Sequence, residues 1–302
     1  MNNDKIVADM RHLYILLFVI AFAPNTVLAG TGRIFTFKAV HAVTDTDTVV
    51  RKASIAAGIS YGSDAMFFGR TGPIKYPFLS ANVIYNTKQG FFIYASALRL
   101  LGYRTSVDEI DLGAGYYYRF SKRWNGTASY TRFIFNKEAR VIESASGHDI
   151  NFKNSYDFKL VKGSITMDYL FGKASDFFVT AAVSKYIEPS WSVFDDKDYL
   201  TFNPGISMIV GTQNFVQRYG AEHQDKLLYN TIAINGASVP IPYNNGRFNV
   251  LNYSFRLPIA YNRPHYTFEA SYRYSIPVNV EGALKNKRES FFNLTFYYVF
   301  FK

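Results

Sequence analysis

The feature that most constrains the fold is a strict alternation near the C-terminus. Every second position holds a large apolar residue, and the positions between them are smaller or more polar: Phe292, Leu294, Phe296, Tyr298 and Phe300 against Asn293, Thr295, Tyr297 and Val299. A period of two predicts a β-strand. A soluble protein buries such an aromatic face and a membrane barrel turns it to lipid, so alternation alone does not decide between them.

The N-terminus predicts export. Residues 1–29 have the pattern of a secretory signal peptide, with Lys5 and Arg11 as the positive region, an apolar stretch over 13–23 and the small-residue cleavage pattern 27–29. The apolar stretch is too short for a helical span, which needs roughly 20 residues. A membrane anchor is the alternative interpretation. No later segment is apolar enough for a helical span.

Composition favours a barrel over a bundle of membrane helices. Aromatic residues make up 18% of the chain, charged residues 19%, and mean hydropathy is −0.06. Only helices or closed barrels can cross lipid, because every backbone polar group needs an internal partner. We therefore predict an all-β, antiparallel up-and-down barrel in the outer membrane. A secreted β-sandwich or soluble barrel is the competing fold.

The absence of cysteine excludes a lipoprotein attachment site, a thiolate metal site and a catalytic thiol.

The net charge of +10 comes from scattered basic residues without any Lys/Arg run, which argues against nucleic acid as a partner. Outer-membrane lipid is the predicted counter-charge. Basic residues that keep the loops soluble explain the net positive charge equally well.

Eleven segments alternate clearly enough to be predicted as strands. They lie near 55–61, 79–85, 91–101, 110–120, 125–135, 161–171, 177–187, 199–211, 251–259, 268–276 and 292–300. Short turns and long loops also alternate, as expected for periplasmic turns and extracellular loops. Parity then requires one more strand between 199–211 and the segment that starts near Phe248. The only candidate is 227–237, which gives twelve strands, or ten if 227–237 is a loop. Residues 30–52 are predicted to be a polar periplasmic extension and 53–302 the barrel.

Charged residues share the smaller, more polar face of several strands. A lipid-facing Arg or Lys near the midplane costs about 2–4 kcal/mol, so this face is predicted to line the lumen. The predicted lumen-facing residues are Asp111, Arg119, Lys162, Asp168, Arg256, Glu269 and Arg273, joined by Arg99 and Asn252. Tyr272, Tyr274, Phe296 and Tyr298 are predicted to face lipid. Such a lumen is either a polar conduit with a transverse field or a closed core of ion pairs.

No catalytic, cofactor-binding or metal-ligating set is predicted. Residues 58–62 match the G-x-S-x-G nucleophile elbow, but they lie within an alternating strand rather than at a strand-to-helix turn. Asp195, Asp196 and Asp198 form either a calcium-binding or a solvated loop. Neither the H-x-S-N-G pattern of the outer-membrane phospholipase nor the Asp-x-His pair of the omptin-type proteases is present.

The sequence therefore favours a non-enzymatic barrel without cofactors, either a narrow pore for small polar solutes or a structural and interaction protein. The alternative is a membrane-embedded hydrolase acting on lipid or peptide from the extracellular loops. Glu143, His148 and Asp149 are the candidate groups for that alternative.

Three segments carry a family resemblance: 61–70, 211–215 and 248–258. They resemble parts of an uncharacterised outer-membrane β-barrel family of Gram-negative bacteria. The resemblance implies a barrel fold and assembly by the barrel-assembly machinery through the C-terminal strand, and it brings no known activity. One departure is the terminus, where Lys302 follows the usual terminal aromatic residue.

Overall fold

The computed structural model describes residues 53–72, 75–102, 105–136, 146–215, 247–280, 284 and 286–301. The predicted signal peptide and the predicted extension over 30–52 lie outside these residues.

The described chain is almost entirely β-structure. Its strands are β1 (Ser54–Gly62), β2 (Phe78–Asn86), β3 (Phe91–Leu100), β4 (Glu109–Arg119), β5 (Trp124–Phe135), β6 (Ser146–Asp157), β7 (Lys162–Gly172), β8 (Asp176–Ser184), β9 (Tyr199–Phe202), β10 (Gly205–Gly211), β11 (Asn249–Asn262), β12 (Tyr266–Pro277) and β13 (Glu289–Phe301). Within the described ranges, no helix is long and apolar enough to cross a membrane.

All thirteen segments belong to one antiparallel sheet that closes on itself. β1 pairs with both β2 and β13, and β10 pairs with both β8 and β11. β9 and β10 occupy one position in the ring, since both pair with β11 on either side of the break at Asn203 and Pro204. Pro204 has no N–H to donate to a ladder. The barrel therefore has twelve strand positions, which confirms the predicted fold and strand number.

The prediction of which segment supplies the twelfth strand was wrong. That strand is β6, over Ser146–Asp157, which pairs with β5 and β7. β10 is hydrogen-bonded directly to β11, so no strand lies between them in the sheet. The segment 227–237 itself lies outside the described residues. β6 escaped prediction because polar residues occupy both of its faces, which hides its period of two.

Adding β6 also changes which connections share an end of the barrel. The turn end carries both termini of the sheet and the connections 87–90, 120–123, 158–161, 185–198 and 263–265. The loop end carries 63–77, 101–108, 136–145, 173–175, 212–248 and 278–288. The short turn after Gly172, predicted to be periplasmic, therefore lies at the loop end. By the rule that long loops are extracellular, the loop end faces outward.

The outer face of the barrel is apolar. Large hydrophobic side chains are exposed at alternate positions around the ring, for example Ile59 at 63%, Ile93 at 59% and Ile206 at 62%. Tyr272, Tyr274, Phe296 and Tyr298 share this outward register. A continuous apolar outer surface on a closed sheet matches lipid, because every backbone group is already paired. The chain is an outer-membrane β-barrel.

Candidate functional site

The inward face of the sheet carries most of the charge predicted for it. Asp111, Asp168, Arg256, Glu269 and Arg273 lie at inward positions of β4, β7, β11 and β12. Arg119 and Lys162 share this register but lie at the turn-end rim and are exposed. Arg119 donates to the carbonyl oxygens of Ser121 and Lys122 at 3.1 and 3.3 Å. The predicted inward position of Arg99 was wrong, because Arg99 lies on the exposed outer face of β3.

The basic part of the lumen lies on β11 and β12. Arg256 Nη2 donates to Glu269 Oε1 at 2.8 Å. Arg273 lies directly opposite Arg256 in the ladder and, within the described part of the chain, forms no ion pair. Directly opposed like charges repel. One guanidinium group is therefore compensated by Glu269, while the other faces the lumen beside it.

The acidic part of the lumen lies across the barrel, on β4, β6 and β7. Asp111 accepts from Ser96 Oγ at 3.1 Å, and Asp168 accepts from Asn151 Nδ2 at 2.5 Å. Asp149, on β6, lies diagonally from Asp168 on the same inward face. In a ring of twelve strands, β4 to β6 stand opposite β11 to β13. Asp111, Asp149 and Asp168 thus lie across the barrel from Arg256 and Arg273, with Lys153 on the acidic side and Glu269 on the basic side.

The loop end of the lumen is closed by a turn of the chain that folds inward. Phe67–Arg70, here called the hairpin tip, is joined by two backbone hydrogen bonds of 2.8 Å between Phe67 and Arg70. Its central residues, Phe68 and Gly69, have φ values of 45° and 76°. Two successive positive φ values define a tight turn in which glycine carries no steric cost. A Cβ on Gly69 would lie 2.3 Å from Asn252 Cβ, so the tip presses directly on the inner wall.

The hairpin tip belongs to a buried apolar cluster, the loop-end plug. Its members are Phe67, Phe68, Leu170, Val179, Phe178, Ile209, Phe215, Leu251 and Leu284. Phe68 stacks on Phe178 with ring centroids 3.5 Å apart, and Phe67 meets Phe215 edge to face at 4.8 Å. Phe178 and Phe215 are fully buried. Aromatic contacts of this kind stabilise beyond their buried area, so the tip is held in place by packing.

Polar contacts fix the plug to the barrel wall. Asp176, inward on β8, accepts the backbone N–H groups of Asn214 and Phe215 at 2.7 and 2.8 Å. It also accepts from Thr212 Oγ1 at 2.6 Å. These bonds hold Phe215 over the hairpin tip.

Arg70 is the central polar residue of the plug, with none of its surface exposed. Its guanidinium group donates to Gln213 Oε1 at 3.0 and 2.8 Å and to the carbonyl oxygen of Leu251 at 2.6 Å. It also donates to the carbonyl oxygens of Val278 and Asn279 at 2.8 and 3.1 Å. One side chain therefore ties the β1–β2, β10–β11 and β12–β13 connections together.

Burial differs between the two halves of the lumen. Inward residues nearer the loop end, such as Ser80, Asn82, Asp111 and Thr131, are buried. On β5 to β8, most inward residues near the turn end are only half-buried: Asn125, Thr127, Ser164, Ala182 and Ser184, with Ser155 the buried exception. Solvent thus reaches this side of the lumen from the turn end.

The plug was not predicted as a site, although parts of it carried a signal. The three segments singled out in the sequence, 61–70, 211–215 and 248–258, converge on it, through Arg70, Gln213 and Leu251 among others. Two consecutive phenylalanines, a glycine and an arginine in a predicted loop are unusual for a solvated surface. Such a run indicates a loop that is buried against something else.

The candidate groups for a hydrolase do not come together. His148 points outward on β6, where its Nδ1 lies 2.6 Å from Tyr130 Oη, while the adjacent Asp149 points inward. Glu143 lies outside the described residues. The G-x-S-x-G match over 58–62 lies within β1, where a nucleophile elbow cannot form.

In the aspartate cluster at the turn end, the carboxylates of Asp195 and Asp198 are already bonded to other groups of the protein. Asp198 accepts the backbone N–H groups of Val193 and Phe194 at 2.7 and 2.9 Å, and Asp195 pairs with Arg263. Burial alone would raise the pKa of Asp198, but these N–H groups hold it below its ordinary value. The N–H of Lys197 and then Arg263 lower the pKa of Asp195. Among the described residues, no group of three acidic or histidine side chains is placed to hold a metal ion.

Comparisons with known proteins find similarity only among solved structures. No family model and no curated protein matches the chain. A KdgM porin is 7% identical, with a TM-score of 0.46, over 81% of this chain and 99% of that chain. A NanC porin is 12% identical, with a TM-score of 0.45, over 82% and 99%. LpxR from Salmonella typhimurium is 9% identical, with a TM-score of 0.44, over 81% and 99%. The likeness is one of overall architecture.

Proposed function

We propose that this barrel is a non-enzymatic, narrow pore for small polar solutes, closed at its loop end by the hairpin tip. The observation that supports the proposal is the contrast between the polar lining of the lumen and its apolar loop end. Its walls carry acidic, basic and small polar side chains among inward aromatic residues such as Phe92 and Tyr94, whereas its loop end is sealed by an apolar plug. Charged and polar side chains that line the lumen favour polar solutes over apolar ones.

The plug has the character of a gate rather than of a barrel core. Four of its nine members come from connections, namely Phe67, Phe68, Phe215 and Leu284, and they pack on five strand residues. A connection can leave the lumen without breaking the ladders that close the sheet. We infer that displacement of the hairpin tip opens a path through the existing polar lumen.

A permanently closed structural or interaction protein is the second candidate. It is supported by the number of contacts that Arg70 makes, which hold three connections in one arrangement. The pore and the closed barrel differ in what happens when the tip is displaced. A pore then conducts ions, and a barrel whose lumen is filled below the plug does not.

Planar-bilayer recording of a Gly69→Val variant tests the proposal. Valine at this position combines an unfavourable positive φ with a Cβ placed 2.3 Å from Asn252 Cβ, so the tip has to leave the wall. We expect wild-type protein to show little or infrequent conductance and Gly69→Val to conduct steadily. Gly102→Val is the matched control, since Gly102 has a φ of 86° but nothing within 4 Å of its Cβ position.

Each outcome decides between the candidates. Conductance in Gly69→Val but not in Gly102→Val supports a gated pore. Folded Gly69→Val protein that remains silent, with folding shown by its altered gel mobility before boiling, supports the closed structural barrel and overturns the pore.

A further inference from the structure

The outer face of the barrel carries an uneven distribution of ionisable groups. Tyrosine aside, the described strands place only three such residues outward: Arg99 on β3, Arg132 on β5 and His148 on β6. All three are basic, and the described outer face has no aspartate or glutamate. We name them the outer-face basic cluster.

The three residues lie at the same end of the barrel. Arg99 is one residue before the end of β3, Arg132 three residues before the end of β5, and His148 two residues after the start of β6. Each of these strand termini is at the loop end. Arg132 and His148 are direct partners in the β5–β6 ladder, and Arg99 is two strands from Arg132. In the ladders Leu98 is paired with Glu109, whereas Arg132 is paired with Leu112. Arg99 therefore lies two strands across and four residues along from Arg132, which puts their Cα atoms about 16 Å apart.

Protein groups do not neutralise the two arginines. Both side chains are exposed on the outer face, and within the described part of the chain neither forms an ion pair. A charged side chain on a lipid-facing surface is stable only where its head reaches the interface or an opposite charge. At the loop end, that interface belongs to the outer leaflet.

His148 is held in position beside Arg132. Its Nδ1 lies 2.6 Å from Tyr130 Oη, and its ring stacks on Phe171 with centroids 4.8 Å apart and planes 11° apart. With Nδ1 engaged, Nε2 is the ring nitrogen left for a ligand. His148 and Arg132 therefore form a basic pair on neighbouring strands, and Arg99 extends the basic surface two strands further, on β3.

We propose that Arg99, Arg132 and His148 bind the phosphate groups of an outer-leaflet glycolipid, lipid A. Guanidinium groups recognise phosphate through paired N–H donors, and the surrounding outer face is apolar, as acyl chains require. Among the described residues of the strands, no outward acidic group repels a phosphorylated head group. This proposal rests on the barrel's place in the outer membrane and is independent of whether the lumen conducts.

Lipid retention by purified protein tests the site. Wild-type barrel, refolded in detergent, is incubated with lipid A carrying two phosphates or none, and bound lipid is counted by native mass spectrometry. We expect retention of the phosphorylated form only. Arg99→Gln with Arg132→Gln is expected to weaken it roughly 25-fold, at about fivefold for each cation. The Arg99→Lys, Arg132→Lys variant should retain most of the binding. Arg123→Gln, the same charge change at the turn end, should retain all of it.

Several outcomes would overturn the proposal. Equal binding of the dephosphorylated lipid shows that acyl chains alone are recognised. An unchanged Arg99→Gln, Arg132→Gln variant, or an equal loss in Arg123→Gln, shows that the cluster is not the site. Displacement of lipid A by millimolar inorganic phosphate would indicate a general anion site instead. The comparison of two lipids on wild-type protein remains decisive even if a variant fails to fold.

Discussion

Arg70→Ala is expected to release the plug while the barrel stays closed. The substitution removes every hydrogen bond that the guanidinium group makes, including those to Gln213 Oε1 and to the carbonyl oxygen of Val278. Losing several hydrogen bonds donated by one buried charged group costs about 3–5 kcal/mol in total. That free energy falls on the connections and not on the strand ladders, which Arg70 does not join.

Hydrogen exchange measures this local effect. The backbone N–H group of residue 67 donates to the carbonyl oxygen of residue 70 across the hairpin tip, and that of residue 70 donates to the carbonyl oxygen of residue 67; both groups remain in the variant. We expect their protection to fall by at least a hundredfold, since about 1.4 kcal/mol corresponds to a factor of ten. Amides within β1 should keep their protection. Arg119→Ala is the control, because Arg119 also donates to two carbonyl oxygens but is exposed. Unchanged exchange at residues 67 and 70 would show that packing alone holds the tip.

Leu294→Arg is expected to destabilise the whole barrel by about 2–4 kcal/mol, the cost of a cation on the lipid face near the midplane. Leu294 lies near the middle of β13 and is 46% exposed on the outer face. Thr295→Arg is the matched control. Thr295 is the next residue, points inward, and lies opposite Glu269 in the ladder. An arginine there meets an acidic partner in a polar lumen.

Equilibrium unfolding in lipid vesicles separates the two variants. Leu294→Arg should lower the free energy of unfolding by the full amount, and Thr295→Arg by clearly less. If Thr295→Arg is the more damaging of the two, the assignment of inner and outer faces on β13 is reversed.

Sequence alternation predicted the barrel because lipid imposes one rule on every strand. Positions such as Ile59, Ile93 and Leu294 must be apolar, so the period of two appears without knowledge of neighbours. The period of two is not visible in β6, because its inward residues and its outward His148 and Asn154 are all polar. Its place in the sheet follows from pairing with β5 and β7, which local pattern does not encode.

The plug was beyond prediction for a different reason. Phe68 and Phe178 are 110 positions apart in the printed sequence, and their stacking depends on how a loop folds into a closed ring. Arg70 likewise binds carbonyl oxygens of residues such as Leu251 that no motif connects to it. The predicted inward position of Arg99 was wrong because a charged side chain near a strand end can lie on the outer face. Its position near the end of β3 lets it stay outward at the interface.

Sided labelling of single cysteines tests the central claim, a polar lumen open at the turn end and closed at the loop end. The chain has no cysteine of its own, so Ser164→Cys and Ile165→Cys each give one reactive thiol. Ser164 points into the half-buried part of the lumen, and Ile165 is 45% exposed on the outer face. In vesicles of known orientation, a membrane-impermeant thiol reagent should label Ser164→Cys when added at the turn side and much more slowly at the loop side. A lipid-phase reagent should label Ile165→Cys alone. Equal labelling of Ser164→Cys from both sides, or its labelling by the lipid-phase reagent, would contradict the account.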